Sequence, residues 1–192
     1  MISTTSFRSS ESSLQSAPSP VGEGGGRGRG GLNYNWDATA FFERLTASNR
    51  LAQHEHFTFC RVSGLEGFQE SLQKMQSSVA FIAVSDIAQG YTELNTTPHT
   101  RRVKTVFLAM RHAIDDMTAR QECMDIMREI FRQFMSVLIQ ERTRVEEEHI
   151  YLDPRISFNE IESYFFSGCA CAYFQIATDV YTDLRYNQEE WL

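Results

Sequence analysis

The chain has 192 residues, of which 42% are hydrophobic, and this is enough for one ordinary globular domain with its own core. The net charge is −7, and because the first 34 residues contain three arginines against two glutamates, the remainder carries −8. Such an acidic surface repels phosphate backbones, so we expect no specific nucleic-acid binding. No apolar run approaches the roughly 18 residues of a membrane-spanning helix, so we expect no membrane contact.

The first 34 residues differ in composition from the rest of the chain. Residues 1–31 contain seven of the eleven glycines and two of the four prolines, together with many serines. Such a segment cannot bury enough apolar surface to offset the entropy lost on ordering. We therefore predict a disordered tail over residues 1–34 and a single domain over residues 35–192. The Arg-Gly repeat at 27–31 is one copy without aromatic residues, and a linker explains it better than RNA binding does.

Two helices and one strand are predicted in the first part of the domain. Asp37 is a good N-cap, and apolar residues at helical spacing predict a helix over 38–50. Residues 57–62 alternate as in a strand that ends before Gly64. Apolar residues three and four apart then predict a second helix over 65–75.

Two short apolar runs, 79–84 and 103–110, predict buried strands. The connection between them, 85–102, contains Gly90 and Pro98 and is predicted to be a long loop in which 91–94 can form a short strand. Loops of this length inside compact domains are usually functional or mobile.

The longest helix is predicted to begin at Asp115 and Asp116 and to continue to about Glu146, because apolar residues recur three and four apart. It is rich in methionine, which favours core packing against a sheet and leaves an adaptable binding groove as the alternative.

Pro154 forces a turn after this helix, and residues 156–161 and 169–176 then predict a hairpin of two strands. The polar and aromatic stretch over 179–192 either packs on its own domain or reaches a neighbouring molecule. Together these elements predict an α+β fold, with a mixed, mostly antiparallel sheet of about four to six strands packed by two or three helices, one of them long.

The sequence offers two weak candidates for chemistry. His54, His56, Cys169 and Cys171 form two pairs at a spacing that places each pair on one face of a strand, and such groups can bind zinc. The spacing is not that of a zinc knuckle, however, and the four cysteines of the chain have no regular pattern, so we interpret them as reduced thiols of an intracellular protein.

A nucleophilic cysteine or serine would need a base nearby and a sharp glycine-bounded turn. Only the segment 166–170 is similar, and it lacks the second glycine and leads into a strand. We therefore predict no catalytic residue, no metal, no cofactor and no enzymatic activity.

The order of elements resembles that of the tail terminator (tail-completion) proteins of tailed bacteriophages, from Trp36 to Ile176. The resemblance lies in element order and in the run Val103-Lys-Thr-Val-Phe-Leu-Ala-Met110 followed by the long helix. It implies a structural protein without catalysis that forms a homo-oligomeric ring, commonly of six subunits, in the virion or the host cytoplasm. The ring would cap the tail tube and contact tail tube and head-tail connector proteins. The candidate subunit contacts are Tyr91, Arg101, Arg102, Tyr181, Tyr186 and Trp191.

A second hypothesis stays open beside this one. A methionine-rich helix and an aromatic C-terminus are also typical of a small intracellular adaptor or regulatory module that binds another protein.

Overall fold

The computed structural model describes residues 36–95, 97–161 and 168–191, and these belong to one compact unit of the chain. The predicted tail, residues 1–34, lies outside the described residues. In the described part the elements follow the order α1 (Ala38–Ser48), α2 (Arg50–His54), β1 (Phe57–Val62), α3 (Leu65–Lys74), β2 (Ala80–Ser85), β3 (Gln89–Glu93), β4 (His99–Arg111), α4 (Met117–Glu146), β5 (Ile150–Leu152), β6 (Phe158–Ile161) and β7 (Cys169–Tyr181). A short 3-10 turn, Gln188–Glu190, follows β7.

The seven described strands form one mixed sheet in the order β1-β2-β4-β7-β5, with β3 paired to β4 and β6 paired to β7. Strands β1 and β2 are parallel, since α3 crosses between them, and the other pairs are antiparallel. This confirms the predicted α+β class, the mostly antiparallel sheet and the single long helix. The described part has more strands and helices than expected, because α2 and β5 are too short to show an apolar period and β3 was predicted only as an optional strand over 91–94.

The larger core lies between α1, α4 and one side of the sheet, which we call the α4 face. Phe42 of α1 contacts Phe134 of α4 and Phe174 of β7, with ring centroids 5.9 and 5.6 Å apart. Met124 and Met127 are buried in this core. The predicted core packing of these two methionines is therefore confirmed.

A smaller core lies on the opposite side of the sheet, which we call the α3 face. Phe68 of α3 stacks on Phe107 of β4 at 4.8 Å, and Leu72 packs beside it. Strand β2 is buried along its whole length because both faces are covered there. The apolar run that predicted a buried strand is explained by this position in the sheet.

The structure corrects several predicted boundaries. The first helix ends at Ser48, because Asn49 is extended and its side chain accepts a hydrogen bond from the Ala52 amide at 2.8 Å, which starts α2. The predicted long loop over 85–102 is largely the hairpin of β3 and β4, since β4 begins at His99. The short strand that the sequence allowed over 91–94 is β3, which begins two residues earlier, at Gln89.

The C-terminal part of the sheet also differs from the prediction. Strand β5 was missed, and β7 continues to Tyr181 because it pairs with β4 without interruption along thirteen residues. The predicted hairpin of the last two strands is confirmed, as β6 pairs with β7 in antiparallel fashion.

Candidate assembly surface

Part of the α3 face is left without a covering helix in the described residues. Helix α3 covers the C-terminal half of β4, where Phe107 and Ala109 are buried, but the half of β4 from His99 to Thr105 is only partly buried. Since side chains alternate along strands, Tyr91, Arg101 and Asp179 lie in one row across β3, β4 and β7 on this side. We call this region the open face.

Arg101 is held at the centre of the open face by two carboxylates. Its guanidinium donates a hydrogen bond to Asp179 Oδ2 at 2.7 Å and another to Asp153 Oδ2. The hydrogen bond from the backbone amide of Arg155, together with the one from Arg101, lowers the pKa of Asp153. Arg101 therefore joins β4, β7 and the chain that follows β5, and each of the three side chains is about 25% exposed.

A polar cavity of about 350 Å³ lies beside this cluster. Its lining includes Arg142 and Glu146 of α4, Tyr151 of β5, and the Arg101 cluster. The second carboxylate oxygen of Asp179, Oδ1, is buried, and within the described residues it has no hydrogen-bond partner. The cavity holds both signs of charge, and Leu152 and Pro154 add an apolar part to its lining.

Strand β3 is an exposed edge of the sheet. All five of its residues are exposed, and in the described structure it pairs only with β4. Gly90 lies so close to β4 that a Cβ there would be 1.8 Å from the Arg101 carbonyl oxygen. Ile87, Tyr91 and Leu94 are exposed by 59%, 56% and 80%. An unpaired edge flanked by exposed apolar side chains is a typical site of protein association.

A groove of about 480 Å³ opens between the start of α3, the β2–β3 connection and the sheet. Its walls combine apolar side chains with uncharged polar ones, and the lining contains no charged side chain. The apolar lining is Leu65, Ile87, Val103, Phe107, Ile161 and Tyr173, and the polar side chains are Ser63, Ser85, Gln89 and Thr105. We call it the α3 groove.

The C-terminal segment, residues 182–191, leaves the sheet at the hairpin end. Thr182 is fixed by the Pro98 carbonyl at 3.0 Å and by the Thr100 hydroxyl at 2.6 Å. Beyond it Tyr186 and Trp191 stack on each other at 6.2 Å while remaining 75% and 69% exposed. The segment thus presents an aromatic pair to solvent.

The predicted contact residues fall into two groups. Tyr91, Tyr181, Tyr186 and Trp191 are each at least half exposed and are available for contacts. Arg101 is engaged inside the domain, whereas its neighbour Arg102 is exposed and, by alternation, lies on the other face of the sheet.

Sequence reasoning missed the α3 groove altogether, including Leu65, Ile87 and Ile161. The detectable signal was Ile87, an isolated large apolar residue in an otherwise polar stretch.

The structure separates the residues of the hypothetical zinc site. Cys169 and Cys171 are buried in β7, while His56 precedes β1, three strands away in the sheet or about 14 Å at the usual strand spacing. Within the described residues no group of three or more metal-binding side chains comes together.

The cysteine thiols are shielded rather than activated. Burial raises the pKa of Cys60 to about 11 and also raises the pKa values of Cys169 and Cys171. Their thiolates are scarce at neutral pH, which is the opposite of what a nucleophile needs. Of the segment 166–170, the other candidate, residues 166 and 167 lie outside the described residues, whereas Gly168 has a φ of 76° and Cys169 and Ala170 are buried in β7.

No protein-family model matches the chain, and no significant match exists among curated proteins. In the part of the chain that the structure describes, none of the helices is long and apolar enough to cross a membrane.

Proposed function

We propose that the protein is a structural assembly subunit of a phage or prophage tail, resembling a tail terminator, whose copies form a ring at the end of the tail tube. The observation that carries the proposal is the combination of an unpaired β3 edge with exposed aromatic and apolar side chains at the same end of the sheet. The domain does not use these groups for its own core, so a neighbouring molecule is the natural partner.

In a closed ring every subunit has two different, complementary surfaces, and each surface binds the other kind on a neighbouring subunit. The hairpin side, with Ile87, Tyr91 and Leu94, is one candidate, and the C-terminal segment with Tyr186 and Trp191 is another. Tail tube and head-tail connector proteins would bind the remaining faces of the ring. The acidic charge of residues 35–192 supports a ring through which DNA passes without adhering.

The adaptor hypothesis retains one supporting observation. Met124 and Met127 are buried in the core and cannot form a binding groove, but the exposed pair of Tyr186 and Trp191 suits a protein partner other than a second copy. The oligomeric state distinguishes the two hypotheses.

Native mass spectrometry with negative-stain imaging at tens of micromolar protein tests the proposal. We expect a defined oligomer with a ring shape, and its loss when Tyr91 and Leu94 are both replaced by Asp. Ile139→Asp is the matched control, because Ile139 is 67% exposed on α4, away from the hairpin. A wild-type protein that stays monomeric and does not bind tail tubes contradicts the proposal and favours the adaptor.

A further inference from the structure

We infer that strand β3 of one copy pairs with strand β5 of the next copy, so that the sheet continues from subunit to subunit. This inference rests on the proposed self-assembly and adds which strands meet and in which register. In the described part of the chain β3 pairs only with β4, and β5 pairs only with β7. Because β4 and β7 pair with each other, β3 and β5 are the two edges of one four-stranded part of the sheet, β3-β4-β7-β5.

The chain directions of these two edges are compatible. Each neighbouring pair in β3-β4-β7-β5 is antiparallel, so β3 and β5 run in opposite directions. A second copy in the same orientation therefore brings its β3 alongside β5 in antiparallel fashion. Since the two edges are different parts of the chain, the contact is head-to-tail and repeats from copy to copy, as a ring requires.

The backbone groups of β5 that point to its free edge are those of Ile150 and Leu152. The Asp153 amide donates to the Ala177 carbonyl oxygen of β7 at 2.9 Å. Since hydrogen-bonded and non-hydrogen-bonded pairs alternate along antiparallel strands, Tyr151 also bonds to β7. The N–H and C=O groups of Ile150 and Leu152 therefore point away from β7, where no other described strand pairs with them.

On β3 the corresponding backbone groups are those of Gly90 and Thr92. The Thr182 amide donates to the Pro98 carbonyl oxygen at 3.0 Å, so the even-numbered residues of β4 bond to β7 and the odd-numbered ones face β3. The β3 residues opposite those odd positions, among them Tyr91, bond to β4 in turn. The N–H and C=O groups of Gly90 and Thr92 therefore point to the free edge.

One register uses the outward groups of both strands. In that register Gly90 lies opposite Leu152 of the neighbour. Thr92 then lies opposite Ile150, and each of these pairs exchanges both of its backbone hydrogen bonds. A shift by two residues in either direction leaves one of the pairs without its partner, so the spacing of the outward groups selects this register.

The same register brings two exposed tyrosines together on the open face. Tyr91 is 56% exposed and Tyr151 is 49% exposed, and both belong to the row that contains Arg101 and Asp179. They form a non-hydrogen-bonded pair, in which the side chains approach closely and an aromatic pair stabilises the sheet.

The β5 edge also leaves room for the neighbour's tyrosine ring. The cavity of about 350 Å³ has Tyr151, Leu152 and Pro154 in its lining, so it adjoins the strand that the neighbour's β3 joins. The charge of β3 is compatible with this contact, because its single acid, Glu93, comes level with His149 and not with a carboxylate.

Disulfide formation between single-cysteine additions tests the inference on the full chain. Tyr91→Cys and Tyr151→Cys proteins are mixed and treated with oxidised glutathione, because a Cα separation of about 4.5 Å in a non-hydrogen-bonded pair suits a disulfide. We expect a disulfide-linked dimer in this mixture. A mixture of Ile139→Cys with Tyr151→Cys is the control and should give only background, since Ile139 is exposed on α4. No dimer above that background overturns the inference.

Each variant alone, and one chain that carries both replacements, define which strands pair. As much dimer from Tyr91→Cys alone as from the mixture means that β3 pairs with a second β3, which overturns the inference. The chain with both replacements should give a ladder of linked multimers. Within one copy the two positions are three strand spacings apart, about 14 Å, which is too far for a disulfide. Products no larger than a dimer contradict a repeating contact.

A substitution on the free edge separates this inference from the proposed function. Thr92→Pro removes the N–H that points to the neighbour, and proline is tolerated where the N–H side of an edge strand faces solvent. We expect Thr92→Pro to lose ring assembly and Thr92→Ala, which keeps the N–H, to assemble like the wild type. Native mass spectrometry measures assembly, and circular dichroism checks that both variants fold.

The outcomes for the pairing and for the ring are distinguishable. If the wild type and a folded Thr92→Pro form rings equally well, the pairing of β3 with β5 is overturned although assembly stands. If Thr92→Pro does not fold, the disulfide result decides. A monomeric wild type overturns both the pairing and the proposed function.

Discussion

Arg101 joins three segments through one guanidinium, and its replacement should show how much this junction stabilises the domain. In Arg101→Met the carboxylates of Asp153 and Asp179 lose their cation while remaining three-quarters buried. We expect a loss of about 1–3 kcal/mol in the free energy of unfolding, less than for a fully buried pair because water still reaches the site. Urea titration followed by circular dichroism measures it. Arg50→Met, at an exposed arginine of α2, is the control and should change stability little.

The same junction predicts a dependence of stability on pH. The pKa of Asp153 is lowered in the folded state, so its contribution is present above the unfolded pKa of about 3.9 and is lost as the pH falls through the lower folded pKa. Wild type should therefore lose stability on acidification below about pH 4 more steeply than Arg101→Met does. Equal slopes for the two proteins in urea titrations from neutral to acidic pH would show that Arg101 does not stabilise the ionised carboxylate.

Cysteine chemistry gives a third prediction for individual residues. The pKa of Cys60 is about 11, so about one thiol in a thousand is ionised at pH 8. Labelling of the folded protein should be slow and should accelerate about tenfold per pH unit up to pH 10, because only the thiolate reacts. In urea all four cysteines should react quickly. Rapid labelling of the folded protein at neutral pH would contradict the shielding described above. It would also support the hypothesis that one of the cysteines is catalytic.

The role of a side chain was predictable where it depends only on residues close in sequence, as for a helix N-cap. Asp37 and Asp116 were expected to begin helices, and both accept hydrogen bonds from the amide three residues later, at 3.0 and 2.9 Å. The pairing of Arg101 with two aspartates 52 and 78 positions away depends on strand register, which no local pattern contains.

The hairpin of β3 and β4 depends on a glycine at one position. A Cβ on residue 90 would overlap the backbone of Arg101, so Gly90→Ala must move β3 away from β4. We expect faster amide hydrogen exchange in Gln89–Glu93 and a loss of about 1–3 kcal/mol. Gln89→Ala, in the same exposed strand, is the control. Unchanged exchange in Gly90→Ala would contradict the close approach of β3 to β4 at this position.

Helix α4 offers a matched pair of substitutions on its two sides. Phe134 is 1% exposed and contacts Phe42, so Phe134→Ala leaves a cavity and should cost about 3–5 kcal/mol. Ile139→Ala, at a residue 67% exposed on the same helix, should change stability by less than about 0.5 kcal/mol. Urea titrations compare the two, and similar losses would contradict the assigned burial of α4.

Elements with a strong apolar period were predictable, and short or exposed ones were not. Helices α1, α3 and α4 and strands β1 and β2 bury one or two faces, which fixes their patterns in the sequence. Strand β5 has three residues and no pattern to detect, and β3 is exposed on both faces, so it was predicted only as a short optional strand over 91–94. The α3 groove could not be predicted because its lining comes from separate elements that only the tertiary fold brings together.

For the molecule as a whole, the fold class was accessible from the sequence but the strand order was not. The order β1-β2-β4-β7-β5 places the last long strand beside β4, so the most extensive pairing joins residues about 60 to 80 positions apart. Composition and periodicity carry no record of such long-range pairing. Composition does give the net charge of the chain, and from this charge we predict whether the protein binds DNA.

Residues 35–192 carry −8, and the first 34 carry +1. The proposed ring should therefore repel DNA that passes through it, and the protein should show no binding to double-stranded DNA at about 0.15 M salt. Fluorescence anisotropy with a labelled duplex measures this. Weak binding at about 0.02 M salt should disappear when Arg8, Arg27 and Arg29 are replaced by serine, since the acidic domain cannot supply the contacts. Binding that survives both the higher salt and these replacements would locate a basic patch on the domain and contradict a role that depends on repelling DNA.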